Sequence, residues 1–284
     1  MTKKIAYLGP AGTFTEEAAL LYDSRAELLP LSTIPAVASA VETGMADEGV
    51  VPIENSLEGS VSATLDLLIH ESSLLIRREL VLPINHCLLV KPGTKAHEVR
   101  AVYSHPQALG QCRHFLDKCF PKAEAVAALS TAAAVEEMLA SKVPAAAIAT
   151  QRAAELYGVE ILAKGIQDQA SNVTRFVVLA QNDHPPTGND KTSICFYFAE
   201  DKPGVLASVL AEFAQRNINL TKIESRPSKE SLGKYFFLVD MDGHRYNPLI
   251  GSALEGVVAK TAQFKIFGSY PRFTESPRSQ SSST

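Results

Sequence analysis

Short apolar runs alternate with helical patterns over the first 180 residues. Apolar positions at helical spacing, opened by a capping residue or a proline, predict helices at 13–23, 60–70, 106–120 and 131–141. The short apolar runs predict strands near 4–8, 49–53, 84–90, 100–103, 145–149 and 173–180. This alternation is typical of an α/β fold, and it contains too many elements for one small sheet. We therefore predict two α/β lobes in residues 1–180.

The pattern changes after residue 180. Residues 181–192, QNDHPPTGNDKT, lose their apolar positions and gather Pro, Gly, Asn and Asp, which predicts a linker. Strands follow at 193–198, 219–227, 234–242 and 264–270, with helices at 203–216 and 248–262 and a turn near 231–233. The order βαββαβ predicts a ferredoxin-like sandwich over residues 193–271. The Ser-rich residues 272–284 are predicted to be a disordered tail.

Composition narrows the possible partners. The 284 residues carry a net charge of -4 and no long run of Lys or Arg, which argues against nucleic acid as a partner. No apolar stretch approaches the length of a membrane span, and the first apolar run soon meets Gly9 and Pro10, unlike a signal peptide. We therefore expect a cytoplasmic protein. The four scattered cysteines are most simply free thiols there, and we expect no metal site.

Polar clusters lie where predicted strands pass into helices: GPAGTFT (9–15), ENSLEGS (54–60), SHPQA (104–108) and LSTAAA (129–134). Ligands of open α/β sheets bind outside the carboxyl ends of the strands, and helix starts attract anions. Any one cluster alone is most simply a helix cap or a turn, whereas four together predict a site for a small anion. Thr174 and Arg175 interrupt the last apolar strand, where Thr suits a strand and Arg suits a strand end.

These clusters resemble the motifs of one family, the prephenate dehydratases. The matching stretches are GPAGTFT, VPIENSLEGSV (51–61), SHPQALGQC (104–112), NVTRF (172–176) and KIESRP (222–227). The resemblance implies a two-lobed catalytic domain similar to periplasmic-type binding folds, followed by an ACT domain that binds L-phenylalanine. It also implies the conversion of prephenate to phenylpyruvate without a cofactor, by a homodimer or a homotetramer.

The resemblance also assigns roles to residues. Thr174 matches the family's essential threonine, whose hydroxyl donates to the departing hydroxyl of the substrate, and Arg175, Asn55 and Ser56 complete the expected catalytic set. Arg175 either holds a substrate carboxylate or pairs with Glu54, and both readings stay open. The residues expected to bind substrate are Thr13, Thr15, Ser104, Gln107 and Phe176, the last packing behind Thr174.

For the effector, the resemblance points to the start of the second domain. The family usually reads Gly-Ala-Leu-Val there, whereas this chain has Gly204, Val205, Leu206 and Ala207, which bears on affinity and selectivity for the effector. The other expected contacts are Asn217, Glu224, Ser225 and Arg226. Two alternatives remain: an arogenate dehydratase, whose substrate has an amino group in place of the keto group, and a sensor that binds a small molecule without catalysis.

Overall fold

The computed structural model describes residues 2–200, 202–228 and 234–274. The strands are β1 (Lys4–Leu8), β2 (Glu27–Leu31), β3 (Glu48–Asn55), β4 (Gly59–Ser60), β5 (Leu75–Pro83), β6 (Cys87–Val90), β7 (Ala101–Ser104), β8 (Glu124–Ala127), β9 (Ala145–Ala149), β10 (Glu160–Lys164), β11 (Val173–Ala180), β12 (Asp190–Tyr197), β13 (Leu220–Pro227), β14 (Tyr235–Asp242) and β15 (Gln263–Pro271). The helices are α1 (Phe14–Tyr22), α2 (Ile34–Glu42), α3 (Ser62–Asp66), α4 (Pro106–Gln111), α5 (Arg113–Cys119), α6 (Thr131–Ala140), α7 (Gln151–Tyr157), α8 (Val205–Ala214) and α9 (Pro248–Val258).

Lobe A is built on a sheet with the strand order β2-β1-β3-β11-β5, and β4 pairs with β3. β1 runs parallel to both β2 and β3. β1 and β3 are largely buried, as expected of parallel strands covered by helices. A Cβ atom at Gly49 would lie 2.8 Å from Val37 of α2, so glycine lets this helix pack directly against β3. Asn55 is the last residue of β3, so the packing of this strand fixes its position.

Lobe B is built on a second sheet with the strand order β10-β6-β9-β7-β8. Its central strand β9 is almost entirely alanine and completely buried, which allows α6 to pack closely. Two chain segments, 84–86 and 165–172, connect the lobes. They are hydrogen-bonded to each other, from Ile84 N to Asn172 O at 2.9 Å and from Ile166 N to His86 O at 3.1 Å.

The third sheet follows in the C-terminal part of the chain and has the order β13-β14-β12-β15. Neighbouring strands of this sheet are antiparallel. Apolar faces of α8 and α9 pack on it through Val209, Phe213 and Val257 against Phe196. The predicted α/β class is confirmed, with two lobes followed by a ferredoxin-like βαββαβ unit. The similarity of the two lobes to periplasmic-type binding folds stays a prediction.

The chain divides into two compact units, and each is built from two segments of the sequence. The first unit contains Met1–Leu65 and Leu80–Phe176, and the second contains Asp66–Glu79 and Val177–Thr284. Within the second unit, the inserted segment Asp66–Glu79 is held by charges. Glu79 pairs with Lys191 at 2.8 Å and Asp66 pairs with Arg226 at 3.1 Å. Lys265 Nζ donates to Ser72 O at 2.7 Å, which satisfies a carbonyl group beyond a helical turn.

Several predicted elements differ from the structure. The helix expected at 60–70 is only α3, followed by a π-helical turn at Leu67–Glu71. The helix expected at 106–120 breaks into α4 and α5 at Cys112. Strands β2, β4, β5, β8 and β10 and helices α2 and α7 were not predicted. None of the described helices is long and apolar enough to cross a membrane.

The predicted linker is shorter than 181–192, because β12 already begins at Asp190. Lys191 lies within the predicted linker, and its ammonium group is buried against Glu79. Thr13 and Glu16 at the start of α1 form half of a capping box. Thr13 Oγ1 accepts from Glu16 N, but the Glu16 carboxylate accepts from Gly12 N instead of Thr13 N. The turn expected near 231–233 and residues 275–284 of the expected tail lie outside the described residues.

Candidate active site

A cleft of about 550 Å³ lies in the first unit, with walls from both lobes. Its volume is within the range of small-molecule sites. Lobe A contributes Leu8, Thr13, Phe14, Thr15, Asn55, Thr174 and Phe176, and lobe B contributes His105, Gln107, Gln111, Ser130 and Thr131. All four polar clusters that the sequence places after strands thus contribute residues to one cavity.

Strand alternation selects which side chains of β11 reach the cleft. Thr174 and Phe176 are buried and line it, and the residue between them points to the other face of the sheet. The Thr174 hydroxyl oxygen lies 2.8 Å from Nδ2 of Asn55, which donates to it. The hydroxyl predicted to break the apolar strand is therefore partnered by an amide of the neighbouring strand β3.

The orientation of the Asn55 amide follows from its backbone partners. Asn55 Oδ1 accepts from the N–H groups of Leu57 at 3.0 Å and Glu58 at 3.1 Å. The other atom of the amide is therefore the nitrogen, which can only donate. Thr174 Oγ1 accepts from it, and no described residue accepts the proton of Thr174. The Thr174 hydroxyl is thus available as a donor to a molecule in the cleft.

A chain of side-chain hydrogen bonds extends from Asn55. Asn55 Nδ2 also donates to Asn172 Oδ1 at 2.8 Å, and Asn172 Nδ2 donates to Gln111 Oε1 at 2.9 Å. His86 Nε2 lies 3.0 Å from the same oxygen of Gln111. The chain joins β3, both connections between the lobes and α4.

The environment of His86 favours the neutral form of its side chain. Its side chain is only 3 % exposed, and burial lowers its pKa, although the hydrogen bond with Gln111 acts in the opposite direction. Because Gln111 offers an oxygen, the proton must be on Nε2. His86 Nδ1 is buried and has no hydrogen-bond partner in the described part of the chain. Phe14 packs edge-on against the ring with a centroid distance of 5.6 Å.

Two helix N-termini reach the cleft. Thr13 caps α1 and Ser130 caps α6, each accepting from a backbone N–H three residues later. Helix starts carry unpaired N–H groups and a partial positive charge, so they favour anions. The described residues that line the cleft include no Lys, Arg, Asp or Glu. Attraction of an anion therefore rests on these helix ends and on neutral donors.

The structure brings six predicted site residues together and leaves others apart. The cleft is lined by Thr13, Thr15, Asn55, Gln107, Thr174 and Phe176. Ser56 is exposed, and its hydroxyl accepts from Val173 N at 3.0 Å, which fastens the turn after β3 to β11. Ser104 is fully buried and donates to Ile148 O at 2.7 Å. Neither serine lines the cleft, so their expected contact with substrate stays a prediction.

Arg175 lies on the face of the sheet opposite Thr174. Its Nε is 3.8 Å from Oε2 of Glu54, the residue before Asn55 on the neighbouring strand. Of the two roles that the sequence left open, this geometry favours the pair with Glu54. The catalytic role expected of Arg175 stays a prediction.

Three residues of the chain of hydrogen bonds were not singled out from the sequence: His86, Gln111 and Asn172. Gln111 and Asn172 lie within stretches that did attract attention, SHPQALGQC and NVTRF, and only the fold shows that their amides meet. His86 opens an apolar strand in INHCLLV, where a lone histidine gives no signal. Its position in a connection between lobes is a tertiary property.

The residues expected to bind an effector lie in the second unit. Gly204 precedes α8 with φ of +88°, and Val205, Leu206 and Ala207 form the first turn of that helix. Asn217 adopts φ of +53° in the turn before β13. Glu224, Ser225 and Arg226 lie on β13, which is the edge strand of its sheet.

Two family models match the chain. The model described as prephenate dehydratase matches residues 5–184, and the model described as ACT domain matches residues 193–257. The first covers the part of the chain that forms the two lobes. The second covers most of the ferredoxin-like unit.

Curated relatives are similar over nearly the whole chain. A bifunctional chorismate mutase/prephenate dehydratase of Aquifex aeolicus is 46 % identical over 270 residues, which cover 95 % of this chain and 74 % of the relative. A prephenate dehydratase of Mycobacteroides abscessus is 41 % identical, with 97 % and 92 % covered. The chloroplastic arogenate dehydratase 5 of Arabidopsis thaliana is 42 % identical, with 95 % and 68 % covered.

Solved structures also align over most of the chain. A prephenate dehydratase from Arthrobacter aurescens in complex with L-Phe has a TM-score of 0.88 and 37 % identity, covering 95 % of this chain and 90 % of that one. GqqA, described as a quorum quenching acylase, has a TM-score of 0.85 and 31 % identity, covering 95 % and 98 %.

Proposed function

The chain belongs to the prephenate dehydratase family, and we propose that it is the enzyme that converts prephenate to phenylpyruvate. The observation that carries the proposal is the Thr174 hydroxyl, which accepts from Asn55 and keeps its own proton free for the cleft. Family membership supports catalysis, and this geometry supplies a residue for it.

The reaction needs little more than positioning and a donor. The bond to the ring carboxylate breaks and its electron pair enters the ring, CO₂ leaves, and the C–O bond on the opposite ring carbon breaks as the hydroxyl departs with an added proton as water. The ring becomes aromatic, so the driving force lies in the substrate. A donor at the departing oxygen and a fixed orientation are what the protein must add.

Thr174 fits the role of that donor. Its pKa is far too high for it to lose its proton outright, so the hydroxyl stabilises the departing oxygen by a hydrogen bond and passes on a proton only if another is returned. Asn55 orients it by donating to Oγ1 at 2.8 Å. Phe176, two residues along the same strand face, packs beside it in the wall of the cleft.

The two carboxylates of prephenate match the two capped helix starts in the cleft. Thr13 and Thr15 lie at the start of α1, and Ser130 and Thr131 lie at the start of α6. Gln107 adds an amide from α4. We propose that these groups hold the carboxylates, and that Ser56 and Ser104 shape the walls through their backbone hydrogen bonds.

Prephenate is favoured over arogenate by the charges of the cleft. Arogenate carries an ammonium group where prephenate has a keto group, and a site for it calls for a carboxylate. The described lining residues include neither Asp nor Glu. The similarity to a plant arogenate dehydratase is therefore compatible with a shared fold and a different preference.

We also propose regulation by L-phenylalanine in the second unit. The chain matches an ACT domain model, and a relative with 37 % identity was solved with L-Phe bound. The proposed contacts are Gly204, Val205, Leu206, Ala207, Asn217, Glu224, Ser225 and Arg226. β13 is an edge strand with Ile223 half exposed, which supports a homo-oligomer with the effector between copies. We place the enzyme in the cytoplasm, consistent with its free described cysteines.

The direct test incubates the purified full chain with prephenate and follows phenylpyruvate by its absorbance, with arogenate as the second substrate. Phenylpyruvate formation, with a lower kcat/KM for arogenate, is expected. Binding of prephenate without product would favour a sensor. Release of an acid from an N-acyl amide would instead favour chemistry of the GqqA kind.

A further inference from the structure

One atom in the cleft wall, Gln111 Oε1, receives donors from both connections between the lobes. His86 belongs to the connection 84–86 and donates through Nε2 at 3.0 Å. Asn172 belongs to the connection 165–172 and donates through Nδ2 at 2.9 Å. Both donors are almost fully buried, at 3 % and 1 % exposure. Buried donors of this kind leave little freedom to the group that accepts from them.

The direction of these hydrogen bonds is set by Asn55, at the other end of the series of side-chain hydrogen bonds. Backbone N–H groups of Leu57 and Glu58 fix Asn55 Oδ1, so Asn55 Nδ2 must donate to Asn172 Oδ1. Asn172 then has only its nitrogen left to offer to Gln111. A reversed Gln111 amide would set N–H groups against the N–H groups of Asn172 and His86, and unmade buried hydrogen bonds are costly.

Because the oxygen of the Gln111 amide is fixed, the position of its nitrogen, Nε2, is fixed as well. No described residue accepts a hydrogen bond from Gln111 Nε2, and Gln111 lines the cleft. We propose that His86 and Asn172 are positioning residues that lock the Gln111 amide, so that its N–H groups are offered to the substrate. This inference rests on the proposed function, because it names the substrate as the acceptor.

The chemistry of prephenate makes the orientation matter. Its carboxylates, keto group and hydroxyl oxygen are all acceptors, and only the hydroxyl is also a donor. A locked Gln111 presents N–H to such a molecule. An amide free to turn would present its carbonyl oxygen part of the time, which repels a carboxylate, and binding would weaken. Loss of the fixed Gln111 orientation should therefore raise KM for prephenate more than it lowers kcat.

The first test compares two substitutions of similar size. Gln in place of His86 keeps an N–H group near the position of Nε2, whereas Met does not. His86→Met is expected to raise KM about tenfold, as for loss of one oriented hydrogen bond, and His86→Gln is expected to restore most of that loss. Equal KM values in the two variants would overturn the proposal, and so would losses that follow thermal stability alone.

The second test reverses the direction of one bond. Asn172→Asp replaces the donor by an acceptor, so Gln111 must turn its nitrogen toward residue 172 and His86 must move its proton to Nδ1. We expect KM to rise at least tenfold. Asn189→Asp, an exposed change of the same chemistry in the linker, controls for the added charge.

The readout that does not depend on activity is the histidine tautomer. Nitrogen-15 NMR of the full chain labelled at histidine, with His86→Gln used for assignment, should show the proton of His86 on Nε2, and Asn172→Asp should move it to Nδ1. A wild-type proton on Nδ1 would overturn the proposal. If the wild type turned over no prephenate but kept the Nε2 tautomer, the proposed function would fail while the lock stood.

Discussion

Asn55 and Thr174, 119 positions apart in the chain, are joined by a hydrogen bond of 2.8 Å from Nδ2 to Oγ1. The bond matters because Asn55 cannot accept from Thr174 in return: its oxygen is held by two backbone N–H groups. The threonine proton is thereby directed to the cleft and not to the protein.

Removal of the hydroxyl tests its role most directly. Thr174→Ala is expected to lower kcat by ~10² to 10⁴, the contribution of a positioned proton donor. Thr174→Ser keeps the donor and should retain much more activity. Turnover of prephenate by the purified variants measures both, with circular dichroism as the check on folding. An alanine variant as active as the serine variant would remove Thr174 from the mechanism.

Replacing the donor group of Asn55 by an acceptor should have a similar effect without changing Thr174. Asn55→Asp offers only acceptors, so the Thr174 hydroxyl would donate to residue 55 and no longer to the cleft. We expect kcat to fall at least ~10² and KM to rise because a carboxylate repels the anionic substrate. Steady-state kinetics beside Asn189→Asp, which changes the net charge equally, separates the local effect. Similar kinetics in the two variants would contradict the assigned direction of the bond.

His86 makes stability depend on pH in a defined direction. Burial lowers its pKa in the native state below the ordinary value of 6.5. The unfolded chain therefore binds the proton more readily, and the contribution of neutral His86 to stability is present above pH 6.5 and is lost as the pH falls from 6.5 toward the native pKa. Urea denaturation from pH 7.5 to 5.5 should show a smaller loss for His86→Gln than for the wild type. If the free energy of unfolding fell equally with pH in the wild type and in His86→Gln, the pKa of His86 would not be lowered in the native state.

The buried pair of Glu79 and Lys191 should be costly to break from one side. Their side chains are 3 % and 11 % exposed, with Nζ 2.8 Å from Oε2. Glu79→Ala leaves a buried ammonium group, and about 3 to 5 kcal/mol of stability should be lost. Glu155→Ala, which breaks the exposed contact with Arg152, should cost less than about 1 kcal/mol. Urea denaturation of both variants gives the comparison, and equal losses would refute the importance of burial.

The backbone at Gly204 should govern the response to L-phenylalanine. Its φ of +88° disfavours any side chain, by about 1 to 2 kcal/mol, although a Cβ atom there meets nothing within 4 Å. Gly204→Ala should therefore distort the entry to α8 and raise the concentration of L-phenylalanine needed for half inhibition. Gly188→Ala has the same strain, at φ of +90°, outside the expected effector residues. Equal inhibition of both variants would place the effector elsewhere.

Local patterns predicted the elements whose signal is local. Strands β1, β3, β9 and β11 have buried apolar runs, and Thr13 caps α1 as its spacing predicts. Strand β8 (EAVA) is short and mostly exposed, so no pattern marks it. β5 carries three charged residues in LIRRELVLP, which interrupt its apolar pattern, and Glu79 among them is buried because Lys191 pairs with it.

The residues of the candidate site also divide into those that a local motif predicts and those that only the fold brings together. Thr174, Asn55 and Thr13 lie in motifs that a single stretch of sequence displays. Gln111, Asn172 and His86 acquire their roles only when three distant segments meet, and amides have the same local pattern whether they point to solvent or to each other. The direction of each hydrogen bond is even harder to predict from the sequence, because it depends on the backbone N–H groups of Leu57 and Glu58.

The segment Asp66–Glu79 gives the regulatory half of this protein a boundary that is not contiguous in sequence. A chimera that exchanges only residues after 181 for those of a relative would pair a foreign β12 with the resident Glu79, and a foreign β13 with the resident Asp66. Transplanting both pieces together should yield folded hybrids where the single-crossover exchange yields aggregates. Exchange of this unit between relatives should therefore move two separated blocks of sequence, 66–79 and 177–284, together.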